Sequence, residues 1–381
     1  MAAGRGYEGP RGATAREIPA VVALADRVFG EKRPHDMGRW FPVLFHPDNR
    51  ENLRIVLADG RPVSLVAFTV GDMELSGVRL RAASLGSVVT DAQHRGRGLA
   101  SVLLADAVKR ARACGTQLLL VSGGRGLYRR FGCVDAGLYR TFSVSADRDL
   151  PRLEVEVRPW TASDLPAMAA LHQAEPVRYL RDRDGMRAQL ASGFLHGRPA
   201  RTWVVRLDGR RVAYFSAQDP RPDMERQAVP VLEMAGSRAA ILAAARSLFG
   251  AYGTDCVALR CLEGDLEMAA LAGEYLIPSR PEGFSGTVKV IDRKGLFAAL
   301  AGSRRERLGA ETDRALRISA GPTVRFRLEG EEFSLEKDED VAALVFGSRE
   351  WKTPRVPKPA LRSALGRLFP LPLADYGLDY V

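Results

Sequence analysis

The chain has 381 residues, 46% hydrophobic and 27% charged, with a formal net charge of +10. That length predicts two or three domains, the composition is that of a globular protein, and no run approaches the roughly 20 apolar residues of a membrane-spanning helix. The excess of cations favours an anionic partner, either a nucleic acid or a small ligand with several phosphates. No helix-turn-helix, zinc-finger or RNA-binding pattern accompanies the charge, so neither a nucleic-acid nor a membrane partner is expected.

Residues 1–17 lack the apolar stretch of a signal peptide, and the expected location is the cytoplasm. Thr14, with Glu17 three residues on, signals a helix start. Residues 52–68, "NLRIVLADGRPVSLVAF", read as a hairpin turning at Asp59-Gly60. "AASLGSVVT" reads as a strand, followed by Arg95-Gly96-Arg97-Gly98 at the mouth of a helix. Along that helix Ala100, Leu103, Leu104, Ala107, Val108 and Ala111 form one buried face, with Gly115 as its C-cap. "QLLLVSG" then reads as a buried strand, and "LYRRFGC", residues 127–133, follows it.

The pattern then repeats. Thr161 with Asp164 matches Thr14 with Glu17 at an offset of 161 − 14 = 147, and Asp208-Gly209 matches Asp59-Gly60 at 208 − 59 = 149. A helix start and a hairpin twice at one spacing argue for duplication. The second copy runs from strand to helix in "LEMAGSRAAILAAARSLF" with no arginine-glycine loop between them. Beyond residue 285, short strands with Gly and Pro turns, a helix capped by Asp338 that includes Val341, Leu344 and Val345, and a last helix after Pro354, Pro357 and Pro359 read as a smaller α+β domain. The expected divisions are residues 1–148, 149–284 and 285–381. Four cysteines (114, 133, 256, 261) and five histidines (35, 46, 94, 172, 196) show no metal-ligand spacing, so neither a metal site nor a disulfide framework is expected.

The arginine-glycine loop carries the chemistry. A helix N-terminus offers unpaired N–H groups and partial positive charge, which together suit a phosphate. Gly96 and Gly98 would let a pyrophosphate approach the backbone, and Arg95 and Arg97 add charge. The segment has no G-K-[S/T] and is no P-loop; it also lacks the third glycine and the ribose-binding acid of a dinucleotide site.

Arg95-Gly96-Arg97-Gly98-Leu99-Ala100 matches the R-x-x-G-x-G/A signature of the GNAT acetyltransferases, and residues 127–133 resemble their second signature after the fifth strand. The whole chain resembles the enhanced-intracellular-survival (Eis-like) type: an α/β fold of tandem GNAT lobes, each a mixed twisted sheet flanked by helices. The second lobe lacks the cofactor loop, and a small sterol-carrier-protein-like α+β domain follows. The resemblance implies an acetyl-CoA-dependent N-acetyltransferase, without a metal, acting on a small-molecule or peptide amine in a ternary complex. It also implies a homo-oligomer, trimer or hexamer.

Under that resemblance, backbone groups of Val88, Val89 and Thr90 hold the pantetheine arm and polarise the thioester carbonyl. The amides of Gly96, Arg97, Gly98, Leu99, Ala100 and Ser101 take the pyrophosphate, and Gly123 and Gly124 leave room for the cofactor. Tyr128 is the expected general acid, since a phenol with pKa about 10 can protonate a departing thiolate, while Leu127 and Phe131 pack. The carboxylate of Val381 is the expected base, with Asp379 a second carboxylate close by. "RWFPVLF", residues 39–45, is an aromatic wall for the acceptor or ordinary packing, and Glu31, Asp36 and Asp48 are acids available to a cationic acceptor. A non-catalytic acetyl-CoA sensor or scaffold is the alternative reading.

Overall fold

Thr14 and Glu17 close on one another at the first helix start. The Thr14 N–H and hydroxyl both donate to the Glu17 carboxylate, at 2.7 and 2.9 Å, and a short turn leads into α1 (Ile18–Phe29). Both outer nitrogens of Arg11 also donate to Glu17, at 2.9 and 2.7 Å, and hold its carboxyl down at about 2. The second copy repeats the device. Arg158 grips Asp164 with two bonds of 2.7 Å, and Thr161 donates to the same carboxylate. Arg158 and Arg11 differ by 158 − 11 = 147, so the duplicated unit includes the arginine as well as the cap. In this computed structural model the described residues are 6–30, 35–124, 126–220, 228–349 and 354–381. Among them no helix is long and apolar enough to cross a membrane.

The chain groups into two units. The first holds residues 1–136, 285–371 and 379–381. Its sheet begins with β1 (Tyr7–Gly12), β2 (Leu53–Ala58), β3 (Arg61–Leu75) and β4 (Arg79–Thr90), antiparallel in that order. Asp59 and Gly60 join β2 to β3 with φ of 49° and 72°, the left-handed pair of a two-residue hairpin turn. After β4 the chain crosses through α3 (Leu99–Ala113) to β5 (Leu118–Val121), which runs parallel to β4 from Ala82↔Leu118 to Leu85↔Val121.

The helix α3 buries Leu99, Leu103, Leu104, Ala107, Val108 and Ala111 against Phe68, Ala83 and Leu85. Leu99 rather than the half-buried Ala100 opens that face, because the helix starts one residue earlier than its apolar spacing suggests. A separate cluster joins α1 and α2 (Met37–Trp40) to the sheet through Val21, Leu24, Met37, Phe41, Leu44, Ile55 and Leu65. Near its end β4 bulges. Leu65 faces Val89 and Ala67 faces Gly86, so Ser87 and Val88 together oppose Val66. The helix α4 (Gly126–Arg130) follows β5.

The second unit holds residues 137–284 and 372–378. In chain order it contains β6 (Leu138–Ser145), β7 (Glu156–Pro159), α5 (Leu165–Ala174), β8 (Val177–Tyr179), α6 (Arg183–Ser192), β9 (Phe194–Leu195), β10 (Arg198–Leu207) and β11 (Arg210–Gln218). Then come β12 (Val229–Gly236), α7 (Arg238–Tyr252), β13 (Cys256–Leu262), α8 (Leu266–Glu274) and β14 (Ser279–Gly283). Its sheet runs β14-β6-β13-β12-β11-β10-β7, with β9 beside β10. Asp208 and Gly209 repeat the hairpin turn, with φ of 49° and 74°. The parallel pair is now β12 with β13, from Val229↔Val257 to Val231↔Leu259. Between β12 and α7 stands Ser237 alone, capping the helix by accepting from the Ala240 N–H; residues 91–98 separate β4 from α3 in the first unit.

Beyond the last parallel pair the second unit is filled with paired charges around a cavity of about 100 Å³. Glu233 accepts from Arg181 at 2.5 and 3.0 Å, from the Tyr214 hydroxyl at 2.8 Å and from the Leu378 N–H at 3.2 Å. Burial by itself would raise the Glu233 carboxyl, but Arg181 outweighs it and holds the group at about 2. Arg260 pairs with Asp375 and Glu282, and Arg238 with Glu175 and Asp265. Burial, with Arg181 adding to it, brings the His172 imidazole down to about 4; burial does the same for His196.

Residues 285–371 group with the first unit. There β15 (Thr287–Val290) pairs antiparallel with β5, from Thr287↔Val121 to Val290↔Leu118. Helices α9 (Arg293–Ala299), α10 (Ala301–Leu308) and α11 (Ala310–Ala315) precede a three-stranded antiparallel sheet, β16 (Arg317–Ala320), β17 (Val324–Leu328) and β18 (Glu331–Leu335). Two helices, α12 (Asp338–Phe346) and α13 (Pro359–Leu368), follow. Asp338 does not cap α12: Lys337 holds the cap position, and the Asp338 carboxylate is taken by Arg293 at 2.6 Å and Lys289 at 3.7 Å. An ion pair to two cations wins over a single bond to a backbone N–H.

Two stability predictions follow from the second unit. Glu233→Ala strands a buried arginine, and urea unfolding is expected to show a loss of about 3–5 kcal/mol. The buried histidines set a pH dependence. Both have folded pKa values below the unfolded value of about 6.5, so the unfolded chain binds more protons between pH 6.5 and 4. Stability is therefore complete above about pH 6.5 and declines toward pH 4, by at most about 1.4 kcal/mol per pH unit for each histidine. Urea midpoints that stay level from pH 7 to pH 4.5 would contradict this.

Candidate active site

The candidate site forms where β4 and β5 part. Their parallel register ends at Leu85↔Val121, and the Leu85 carbonyl then accepts from the Ser122 N–H at 3.1 Å. Beyond this point the strands no longer bond to each other, and the chain's own last residue enters. Val381 is 6% exposed and packs in the cluster with Val89, Leu65, Ala67 and Phe41. The Ser122 hydroxyl stands 2.7 Å from the Val381 carboxylate and donates to it. On the opposite strand a β-carbon at Gly86 would overlap the Val381 carboxyl group. A glycine inside a strand commonly marks such a close approach.

The other half of the candidate chemistry adjoins this seat. Ser122 is followed by Gly123, whose φ of 139° few side chains adopt, and a β-carbon there would lie 4.0 Å from the Tyr128 ring. Tyr128 is buried on α4, in the cluster with Leu99, Leu103, Val121 and Cys133. Consecutive residues at the end of β5 therefore touch the carboxylate and adjoin the phenol. Leu127 and Phe131, on either side, pack against the same cluster. Gly124 lies in open space.

The arginine-glycine loop closes the site at the N-terminus of α3. Gly98 is the N-cap, in the left-handed region at φ 77°, and Gly96 has the same φ. No atom lies within 4 Å of a β-carbon built on either residue, which leaves the loop backbone open to a ligand. The first intrahelical bond is from the Val102 N–H to the Gly98 carbonyl, so the amides of Leu99, Ala100 and Ser101 precede the ladder. These features fit a pyrophosphate.

The two arginines of the loop have different protein partners. Arg95 is exposed and donates to the Thr90 carbonyl at 3.2 Å. Arg97 donates to the Tyr7 hydroxyl at 2.8 Å and to the Gln93 carbonyl at 3.3 Å, and Tyr7 in turn bonds His94 Nδ1 at 2.9 Å. Thus β1 orients a loop arginine from 90 residues away in sequence.

Val88, Val89 and Thr90 line the parting strand. Val89 is buried beside Val381, Val88 packs toward α3, and the Thr90 hydroxyl pairs with Ser64 at 2.8 Å. Of residues 39–45, Phe41, Leu44 and Phe45 are core, whereas Trp40 is half-buried with its ring centroid 4.6 Å from that of His35. Asp36 caps α2, Asp48 stands exposed beside His46, and Glu31 lies outside the described residues. The tail continues the wall, with Tyr380 6.3 Å from Phe41 between ring centroids, and Asp379 is half-buried in the preceding turn.

Sequence reasoning missed Ser122, Gly86 and Tyr7. The glycine in "SLGSVV" was a usable signal, because glycine in a strand pattern points to a bulge or a close neighbour. Nothing local marks Ser122 or Tyr7, whose partners lie 259 and 90 residues away. The seat itself is testable. Gly86→Ala is expected to expel the tail, so that carboxypeptidase removes Val381 at least about tenfold faster than from the parent protein, a shift of about 1.4 kcal/mol in the opening equilibrium.

Comparison with other proteins accords with this geometry. Residues 10–135 match the acetyltransferase (GNAT) domain. No curated protein is significantly similar in sequence. Among solved structures, Eis1 from Mycobacterium abscessus is 13% identical with a TM-score of 0.60, covering 96% of this chain and 98% of its own. A probable N-acyltransferase from Enterococcus faecalis is 13% identical at TM-score 0.61, over 87% and 86% of the two chains. A GCN5-related N-acetyltransferase from Kribbella flavida is 16% identical at TM-score 0.56, again over 87% and 86%. At these identities the likeness is one of fold. Residues 10–135 are a GNAT acetyltransferase domain, and the chain is an acyltransferase of that fold.

Proposed function

We propose that the chain moves an acetyl group from acetyl-CoA to a primary amine by direct attack in a ternary complex. The observation that supports this reading is the seating of the Val381 carboxylate on Ser122 where β4 and β5 part, with the Tyr128 ring near the next residue, Gly123. Acetyl-CoA supplies the activated acyl carbon and the thiolate leaving group. The open amides of the 96–101 loop bind its pyrophosphate, and the backbone of Val88, Val89 and Thr90 aligns the thioester.

An amine with pKa near 10 is protonated at neutral pH and must lose a proton to attack. The Val381 carboxylate accepts that proton. Its seat against Ser122 holds it at the mouth of the cleft, and the apolar surround of Val89 and Phe41 excludes water from it. As the new C–N bond forms and the C–S bond breaks, the Tyr128 hydroxyl gives its proton to the departing sulfur. Attack and departure are thus served by separate groups, so no covalent enzyme intermediate is needed.

The acceptor is a small-molecule or peptide amine. No metal takes part, and neither nucleic acid nor membrane is a partner. The wider reading has residues 1–148 as the catalytic lobe, 149–284 as a lobe without the cofactor loop, and 285–381 as a sterol-carrier-protein-like domain, in a cytoplasmic homo-oligomer.

The test is thiol release from acetyl-CoA over a panel of aminoglycosides, polyamines, amino acids and lysyl peptides. Turnover is expected with at least one class. Tyr128→Phe is expected to lower kcat by about 10²-fold or more, with acetyl-CoA affinity unchanged. Removal of Val381 is expected to lower kcat most below the pKa of the acceptor amine, where the base is needed. Acetyl-CoA binding without turnover on any amine would favour a non-catalytic sensor instead.

A further inference from the structure

A buried hydroxyl without a partner among the described residues stands where β4 leaves β5. Ser87 is 8% exposed, and its Oγ has no hydrogen-bond partner among the described residues. Buried polar groups are nearly always paired, because an unpaired one keeps its full desolvation penalty. Its backbone adds a second cost: φ is 47°, in the left-handed region that serine rarely adopts. Two unfavourable features at one residue, inside a cleft, point to a function that the fold accommodates.

The register of β4 says which way this residue faces. Gly86 turns toward the Val381 carboxyl, whereas Leu85 and Val88 pack in the cluster that contains Tyr128. At the bulge Ser87 and Val88 together oppose Val66, a member of that same cluster. Ser87 therefore belongs to the Tyr128 side of the sheet, next to the residue that faces the carboxylate.

The second unit supplies an internal comparison. Its last parallel pair is Val231↔Leu259, the counterpart of Leu85↔Val121. By cross-strand register, however, Glu233 faces Ser216 as Gly86 faces Ala67, so Glu233 corresponds to Gly86 and lies on the face that holds Val381 in the first unit. Glu233 is as buried as Ser87, yet Arg181, Tyr214 and the Leu378 N–H all bond to it. In the first unit the Val381 carboxylate occupies that face at Gly86 and Ser122 pairs it, so Ser87 on the other face has no counterpart among these paired charges.

We propose that the Ser87 hydroxyl is a catalytic group that donates a hydrogen bond to the carbonyl oxygen of the acyl thioester. This rests on the reading of the cleft as an acyl-CoA site. The bond strengthens as the attacking amine pushes an electron pair onto that oxygen, and weakens when the pair returns and the C–S bond breaks. The hydrogen stays on Ser87 throughout, and no covalent bond to the serine forms. The hydroxyl acts as a side-chain donor beside the backbone groups of Val88, Val89 and Thr90.

The experiment compares the full-length protein with Ser87→Ala and Ser87→Gly. Titration calorimetry measures affinity for acetyl-CoA and for S-ethyl-CoA, which has a methylene in place of the carbonyl. The parent is expected to prefer acetyl-CoA by about 5-fold or more, and both variants are expected to lose most of that preference. With the amine that turns over fastest in the panel above, thiol release is expected to fall about 10-fold or more in both variants. The ligand-free variants should melt at the same temperature as the parent or higher, Ser87→Gly highest, because an unpaired hydroxyl is gone and glycine accepts the backbone angle. A structural role predicts the reverse, a lower melting temperature with the ligand preference intact, and that result overturns the proposal. Failure of the parent to bind either nucleotide overturns the acyl-CoA reading of the cleft, and this inference with it.

Discussion

The structure depends on the parting of two parallel strands. From Ala82 to Leu85, β4 bonds to β5; beyond Val121 it does not. A sheet that opens leaves backbone and side-chain polar groups without their ladder partners, and buried polar groups must be satisfied by something. In the first unit the Leu85 carbonyl is met by Ser122, and Ser122 reaches the Val381 carboxylate. The bulge at Ser87 and Val88 accompanies the divergence and turns the strand end away from its neighbour. The arginine-glycine loop then places open amides where β4 ends and α3 begins.

The second unit meets the same constraint in another way. Its parallel strands also part, after Val231 and Leu259, but the opening is occupied by paired charges. Arg181 with Glu233, Arg260 with Asp375 and Arg238 with Glu175 are mutually satisfied, and the residues around Asp375 to Leu378 complete the set. Such buried pairs contribute little net stability, yet removing one partner is costly. With Ser237 alone between β12 and α7, the segment that could cradle a phosphate is missing.

Much of this was legible in the sequence because it is encoded by neighbours. The Asp-Gly hairpins need left-handed turn residues, so Asp59-Gly60 and Asp208-Gly209 marked them. The capping boxes need an acid three residues after a threonine, and both pairs behave accordingly. The buried face of α3 follows from a period of 3.6 residues. Local rules failed where a distant partner competed. Asp338 was a reasonable helix cap, but Arg293 and Lys289 take its carboxylate.

The sequence by itself determined the duplicated frame, the arginine-glycine loop and the candidate phenol, since each is written in residues close together along the chain. Tertiary structure alone decided that Val381 sits against Gly86 and Ser122, that the Ser87 hydroxyl is buried without a partner among the described residues, and that Glu233 is paired. Those facts join residues separated by up to 259 positions. Spacing cannot report them, because whether a buried polar group is satisfied depends on which distant atoms the fold brings within hydrogen-bond reach.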